Sequence, residues 1–411
     1  MSGSRRVGRR LQEGTLYVVL FMLPFSKSAV EVGFGLLLAG WLLEHAGGER
    51  PLFLHRRSPV RPVALALAAY VVICGLSWLW STNPALSIDG WIGKTLEYAL
   101  FTVFVADVAR RPGVATRCGI VLAMSAVVVG LDGAVGQYLG ADPLRGMRSH
   151  NYQDMQGPYE NPIDLAVYLM TVLPIVLAQR WSGPRIVRVA RWVIVGFLGW
   201  CLIETRAEGN WVALSAGLLF LAVVDRRLRV PIAWAGAAFG AAALVPLVRT
   251  GYLASLLTFK TGGIQDRAYM WGTAWEMIKT RPFLGHGLNT FMDNYLAFCV
   301  GGERMPRYAH NCYLQIWAET GLAGLAAVGW LLSGMLRLWA RAIRMGRDVV
   351  ERPMLAGTAA GLVAFMLHAV FDTNFYALRH AALFWILAGL ACGRASVVLA
   401  DTGPVGEKGA S

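Results

Sequence analysis

The sequence predicts an all-α integral membrane protein with about twelve transmembrane helices and one large outward loop. Three observations predict it. First, 56% of the 411 residues are hydrophobic and only 15% are charged, where soluble domains carry about 25% charged residues. Second, apolar runs long enough to cross a bilayer recur along the chain. Third, most of the Lys and Arg residues fall in alternate loops, the pattern that orients membrane proteins.

In order, the apolar runs cover approximately 11–26, 28–44, 62–80, 90–107, 117–139, 163–179, 191–205, 210–224, 230–248, 313–338, 354–372 and 379–398. The first two are short and closely joined through Phe25-Ser26-Lys27. Basic clusters lie at 5–10, 50–61, 110–117, 180–191, 226–229 and 337–352, with Arg394 near the end of the last run and Lys408 beyond it. With these loops cytoplasmic, both termini are cytoplasmic and 249–312 faces outward. The net charge of +13 then reflects topology and attraction to anionic headgroups. Because the arginines are spread over many short loops, no nucleic-acid patch forms. No small-residue cleavage site follows the first run, so no cleavable signal peptide is expected. Four domains follow: spans over 1–248, the loop 249–312, spans over 313–398, and a disordered tail 399–411.

The long loop has structure of its own. Asp266 can cap a helix that starts at Arg267 and ends before Pro282. Met270, Trp271, Ala274, Trp275 and Ile278 share one face of it, which suits an interfacial helix on the outer leaflet. Arg281–Leu288 reads as a Pro/Gly turn, and a short helix around 289–297 follows. Cys299 and Cys312 lie where a disulfide is permitted, but spacing does not establish the bond.

Three places bring polar side chains to the outer surface. His310-Asn311 stands where the loop enters the tenth span; it either anchors the helix end or moves protons, imidazole being the side chain suited to that near neutral pH. Arg206 sits in a very short outward turn. It is either a snorkelling arginine paired with Glu204 or Glu208, or a ligand-binding group in a position that the positive-inside pattern disfavours. Asp266-Arg267 is either a helix-start ion pair or part of the same site. Two guanidinium groups at one membrane depth suit a lipid-linked phosphate or diphosphate. Within the spans lie Glu31, Lys94, Glu97, Asp132, Glu319 and His368. Lys94 and Glu97 are one turn apart and expected to pair. Glu319 could orient groups below the site or satisfy a neighbouring helix. Asp372, at the outer end of the eleventh span, could reach His310 or an arginine. The chain has no Asp-x-Asp pair, no zinc-spaced His/Cys cluster and no phosphate-binding glycine loop.

These motifs resemble those of the O-antigen ligases, within the superfamily that also holds O-antigen polymerases and protein O-oligosaccharyltransferases. The resemblance covers most of the chain and is strongest over about 204–321. It rests on Thr205-Arg206 before a span, on Arg267, and on the run from Met277 to Phe291. His310-Asn311-x-x-Leu314 leading into Glu319-Thr320-Gly321 carries it further, as does Gly157–Pro162 before the sixth span. Where the family often has Ser-Arg, this chain has Thr205-Arg206.

The resemblance implies a GT-C-like glycosyltransferase of the bacterial inner membrane with a periplasmic site and no metal or other cofactor. The donor would be O-antigen on undecaprenyl diphosphate, and the acceptor a sugar hydroxyl of lipid A core. His310 would be the catalytic base, and Arg206 and Arg267 the diphosphate binders. Asn311, Glu160, Asp372 and Glu319 would support them. A polymerase would use the same donor with a second lipid-linked glycan; Gly217 after Arg206 matches a polymerase-like spacing but runs down a span. A protein O-oligosaccharyltransferase usually carries more C-terminal sequence. A transporter would need polar residues along several spans, whereas here they gather at the outer surface.

Overall fold

Short polar side chains set where the helices begin. Ser26, Asn83, Asn161 and Asn311 each accept a hydrogen bond from a backbone N–H in the following first turn, satisfying donors that a helix start leaves open. Proline occupies an early helical position at Pro62, Pro84 and Pro162, where its missing N–H costs nothing. The computed structural model describes residues 3–46, 48, 51–140, 143–144, 146, 154–181, 183–249, 262–301, 305, 307–346 and 351–401. The expectations for Arg50, Arg347, Lys408, loop residues 250–261 and the tail beyond Asp401 lie outside them.

Among the described residues all regular structure is helical. The helices are α1 (Gly3–Met22), α2 (Lys27–His45), α3 (Arg61–Leu76), α4 (Pro84–Gly90), α5 (Glu97–Ala109), α6 (Val114–Leu139), α7 (Pro162–Ala178) and α8 (Arg185–Glu204). They continue with α9 (Glu208–Val224), α10 (Arg229–Arg249), α11 (Gly262–Thr280), α12 (Phe291–Phe298), α13 (Cys312–Met345), α14 (Glu351–His368) and α15 (Leu378–Asp401). A π-turn at Trp91–Leu96 joins α4 to α5. Every apolar run of the sequence overlaps a helix, the 90–107 run being divided by the π-turn and the 354–372 run outlasting α14 by four residues. Among the described residues, five segments have the length and hydropathy to cross a membrane: Arg61–Trp80, Val114–Leu139, Arg185–Glu204, Cys312–Met345 and Leu378–Asp401. Helices α7 and α9 are apolar but shorter. The chain is thus a multi-pass helical membrane protein.

Small residues let these helices approach closely, as in membrane bundles. Gly217 of α9 lies against the Ala360 carbonyl of α14, and Gly389 and Gly393 of α15 lie against Thr102 and Ala106 of α5. Gly217 is therefore accounted for by packing.

Contacts sort the loops into two ends. At one end Arg9 pairs with Glu44 at 2.7 Å, Arg111 with Glu13 at 3.0 Å, and Arg394 with Glu351 at 3.0 Å. There too Arg352 donates to the Val224 carbonyl at 3.0 Å. These are the basic loops. At the other end the Met155 N–H donates to the Glu204 carbonyl, Thr82 to His286, and Cys312 to Ala369. The candidate site residues lie at this second end.

The turn after α11 docks into a break in α13. Gly321 has φ of 68° and Gly285 φ of 71°, the left-handed region that glycine enters without steric cost. A Cβ on Gly321 would collide with the Phe283 carbonyl, and one on Gly285 with Glu319. In the break, the N–H groups of His286 and Gly287 donate to the Ala318 and Glu319 carbonyls at 3.0 and 2.8 Å. The Leu322 N–H returns a bond to the Pro282 carbonyl at 2.9 Å. The two glycine motifs of the sequence are thus two halves of one joint.

Three expectations need correction, and the pairing of Cys299 and Cys312 that the sequence left open is answered. The helix of the long loop begins at Gly262, so Asp266 is inside it; no proline intervenes, and glycine costs only about 1 kcal/mol. Part of its apolar face packs on protein, while Trp275 stays 48% exposed. Met270, Ala274, Met277 and Ile278 are buried, the last three packed with Phe291, Tyr295 and Ala318, while Trp275 meets Trp317 edge-on at 5.8 Å. Lys94 turns away from Glu97 and donates to Asn289 Oδ1 at 2.8 Å, because the turn after α11 brings that amide to the π-turn. No disulfide joins Cys299 and Cys312; the Cys312 thiol donates to the Asp372 carbonyl at 3.1 Å.

Candidate active site

His310 is the residue before the N-cap of α13, and its φ of 44° is a strained position for a side chain with a Cβ. The neighbours hold it there. Asn311 Oδ1 accepts from the Tyr313 and Leu314 N–H groups, each at 3.0 Å. Trp271 of α11 donates to the His310 carbonyl at 3.4 Å. The Cys312 N–H donates to Ala369 at 2.8 Å, and the Tyr313 hydroxyl donates to Met366 at 2.9 Å. The start of α13 is thereby pinned to the turn between α14 and α15.

That turn carries Asp372. Its Oδ1 lies 2.9 Å from His310 Nδ1 and accepts from the Thr373 N–H at 2.7 Å. The histidine side chain is 36% exposed and the carboxylate 14%, so a ligand can reach the imidazole while its partner stays sheltered. Burial alone would raise the Asp372 pKa. The His310 hydrogen bond, the nearby imidazoles of His368 and His310, and the Thr373 N–H outweigh burial and hold it well below the usual carboxylate range. A carboxylate on Nδ1 fixes the tautomer with the proton there and leaves Nε2 as the acceptor nitrogen.

Arg267 joins this pair from α11. Its Nε donates to the Phe371 carbonyl at 3.1 Å, one residue before Asp372. The guanidinium is thereby held by the turn. Arg206 lies in the α8–α9 turn with φ of 52°. Its Nε is 3.4 Å from Asp154 Oδ1, a partner the sequence did not suggest. This turn abuts the same locus, since Gly209 lies against the ring of His368, which bonds Asn374.

Glu319 lies beneath. It accepts from the Asn289 N–H at 2.9 Å, the Phe291 N–H at 3.3 Å, Gln315 at 3.1 Å and the Tyr376 hydroxyl at 3.1 Å. The Asn289 and Phe291 N–H bonds satisfy the start of the neighbouring helix α12, which is one of its two sequence readings. Glu160 is not brought to His310; it lies 3.5 Å from Lys27 at the surface. His286, within one of the resemblance motifs, is buried in the joint. Its Nε2 is 3.1 Å from the Met277 carbonyl and from Thr280 Oγ1, and burial lowers its pKa. Among the described residues no three His, Cys, Asp or Glu side chains converge in a metal-binding group.

Sequence reasoning missed the segment 77–94. Trp80 donates to the Leu284 carbonyl at 2.7 Å, Ser87 to Leu288 at 2.8 Å, and Arg281 to Trp80 at 3.0 Å. Lys94 inside an apolar run was its one signal. Asp154 and Arg379 were also missed. Arg379 carries the signal that selected Arg206, an arginine at an outward turn.

Fold and site together define a polytopic helical membrane protein with a His–Asp pair and two arginines gathered at one end. Residues 192–329 match the family model described as O-antigen ligase, a stretch that holds Arg206, Arg267 and His310. An O-antigen ligase of Pseudomonas aeruginosa is 26% identical over 270 residues, 65% of this chain and 62% of that protein. The match thus spans less than two thirds of the relative's length. The two findings support the O-antigen ligase family that the motifs resemble.

Proposed function

We propose that the protein is an O-antigen ligase. It transfers a glycan from undecaprenyl diphosphate to a sugar hydroxyl of lipid A core, at the periplasmic face of the bacterial inner membrane. The observation that carries this reading is the His310–Asp372 pair at 2.9 Å, with the Arg267 guanidinium fixed to the same turn. A sugar hydroxyl is a weak nucleophile, and a positioned base contributes typically about 10²–10⁴-fold. His310 Nε2 takes the hydroxyl proton while the oxygen attacks the anomeric carbon. The imidazolium that forms is stabilised by Asp372, the role a buried carboxylate plays in hydrolase triads.

As the glycosidic C–O bond breaks, negative charge grows on the diphosphate. Arg267 and Arg206 neutralise it in a partly desolvated setting, where fixed charges stabilise more than water does. One displacement inverts the anomeric centre. In this reading, twelve helices of a GT-C-like fold span the membrane with both termini cytoplasmic, and 249–312 is the periplasmic loop. The absence of an Asp-x-Asp pair from the sequence supports a metal-independent reaction.

The test is the product that accumulates in cells lacking the protein. A ligase predicts core-only lipid A together with long lipid-linked glycan. A polymerase predicts a single repeat unit on core. A protein O-oligosaccharyltransferase predicts intact lipopolysaccharide and unmodified glycoproteins, and a transporter predicts lipid-linked glycan trapped on the cytoplasmic side.

A further inference from the structure

A second polar cleft opens on the other side of the turn that carries Asp372. It is lined by Lys27, Glu160, Asp164, Tyr376, Arg379 and His380, with a volume of about 360 Å³, at the lower end of the range of ligand pockets, about 300–1,000 Å³. Arg379 is its most telling member. The residue is only 6% exposed, yet it lines the cleft. Its Nη1 donates to the Pro24 and Pro158 carbonyls at 2.7 and 3.2 Å, and its guanidinium lies 4.4 Å from the Tyr159 ring centroid. Nε and Nη2 take no acceptor among the described residues. These two nitrogens are not sealed off from the cleft, so water or a ligand can meet them there.

The lining chemistry narrows what that something is. Glu160 and Asp164 are carboxylates, so the cleft repels a free phosphate. Arg379 and Lys27 are cations, so it also repels a metal ion. Lys27 and Glu160 are 3.5 Å apart and both well exposed, a loose pair that a ligand can enter. Neutral vicinal hydroxyls suit this mixture, because each hydroxyl both donates to a carboxylate and accepts from a guanidinium or ammonium.

We infer that this cleft is a sugar subsite, holding a saccharide ring of a substrate glycan beside the His310–Asp372 centre. The turn between α14 and α15 connects the two: Asp372 holds His310, and four residues on Tyr376 borders the cleft. The inference rests on the proposed transferase reading for its biological source, acceptor core or donor glycan, but not for the binding itself.

Two arms test it, both on the full chain in detergent. In the binding arm, saturation-transfer NMR uses lipid-free core oligosaccharide and lipid-free O-antigen glycan as probes. Signal on at least one is expected with wild type. It should be lost in the surface variant Lys27→Gln/Glu160→Gln, which leaves the buried contacts intact, and in Arg379→Lys. No signal on either probe, or equal signal in the surface variant, overturns the subsite whether or not transfer is observed. In the kinetic arm, the surface variant should raise one KM at least about tenfold and change kcat less than about threefold. A rise in the acceptor KM assigns the subsite to the core saccharide, and a rise in the donor KM assigns it to the transferred glycan. Unchanged KM values for both overturn it. Wild type that binds sugar but transfers nothing would instead refute the transferase reading and leave the subsite standing.

Discussion

Asp372→Asn is the most informative single substitution. The change is nearly isosteric, and the amide oxygen can still accept from the Thr373 N–H, 2.7 Å away in the native protein. What changes is the partner of His310 Nδ1, now 2.9 Å from a carboxylate oxygen. A hydrogen bond to a charged group contributes about 1.5–3 kcal/mol, which corresponds to about 10–150-fold in rate. If the amide NH₂ turns toward Nδ1, the proton moves to Nε2 and the base is lost as well. The total then approaches the full general-base contribution, on the order of 10²–10⁴-fold. The assay is single-turnover transfer by purified protein at saturating donor, with donor KM measured in parallel. The expected result is a kcat decrease of at least about tenfold with donor KM within about threefold of wild type. A kcat within about threefold of wild type would refute the assignment of Asp372 as the group that orients His310.

Other consequences follow from the same contacts. His310→Ala should abolish transfer, by about 10²–10⁴-fold, while membrane insertion and melting behaviour stay close to wild type; near-normal turnover would remove His310 from the mechanism. Arg267→Ala and Arg206→Ala should each cost about 2–5 kcal/mol of transition-state stabilisation. Lys should restore less at 267 than at 206, because one ammonium cannot both replace the Nε bond to Phe371 and present a fork to the diphosphate; equal full rescue at both would indicate simple charge. Gly321→Ala should cost at least about 2 kcal/mol, since the new Cβ meets the Phe283 carbonyl at a positive φ; an unchanged melting temperature would contradict the joint. The lowered pKa of Asp372 sets a pH window. Its stabilisation is fully present above the unfolded pKa of about 3.9 and is lost only as pH falls through the lower folded value. The stability gap between wild type and Asp372→Asn should therefore stay constant from pH 7 to about pH 4 and close below it; a gap closing between pH 7 and 5 would contradict the depressed carboxylate.

The helices were legible because apolar runs and basic loops are local signals. Each run overlaps a helix, and the end-to-end alternation reappeared in the Arg9–Glu44 and Arg111–Glu13 pairs at one end. His310, Arg206 and Arg267 were legible because a charged or titratable group at a membrane boundary is costly. What the sequence could not show was pairing across long separations. Asp372 was a candidate for His310 only by depth, and Asp154 for Arg206 not at all. The face of α11 was misassigned in part for the same reason. Met270, Ala274 and Ile278 have one periodicity whether they meet lipid or protein, and only the docking of the following turn into Gly321 decides between them. Glu160 was chosen from a motif, and its true neighbours, Lys27 and Arg379, lie far away along the chain.

The central claim is that one imidazole and two guanidinium groups carry out glycan transfer without a metal ion. It is tested most directly with purified protein, undecaprenyl-diphosphate-linked glycan and lipid A core in excess EDTA. The account predicts transfer at the untreated rate, with inversion at the anomeric carbon and only a modest decline as salt rises, because partly buried charges are weakly screened. Loss of transfer on chelation, restored by magnesium or manganese, would contradict it.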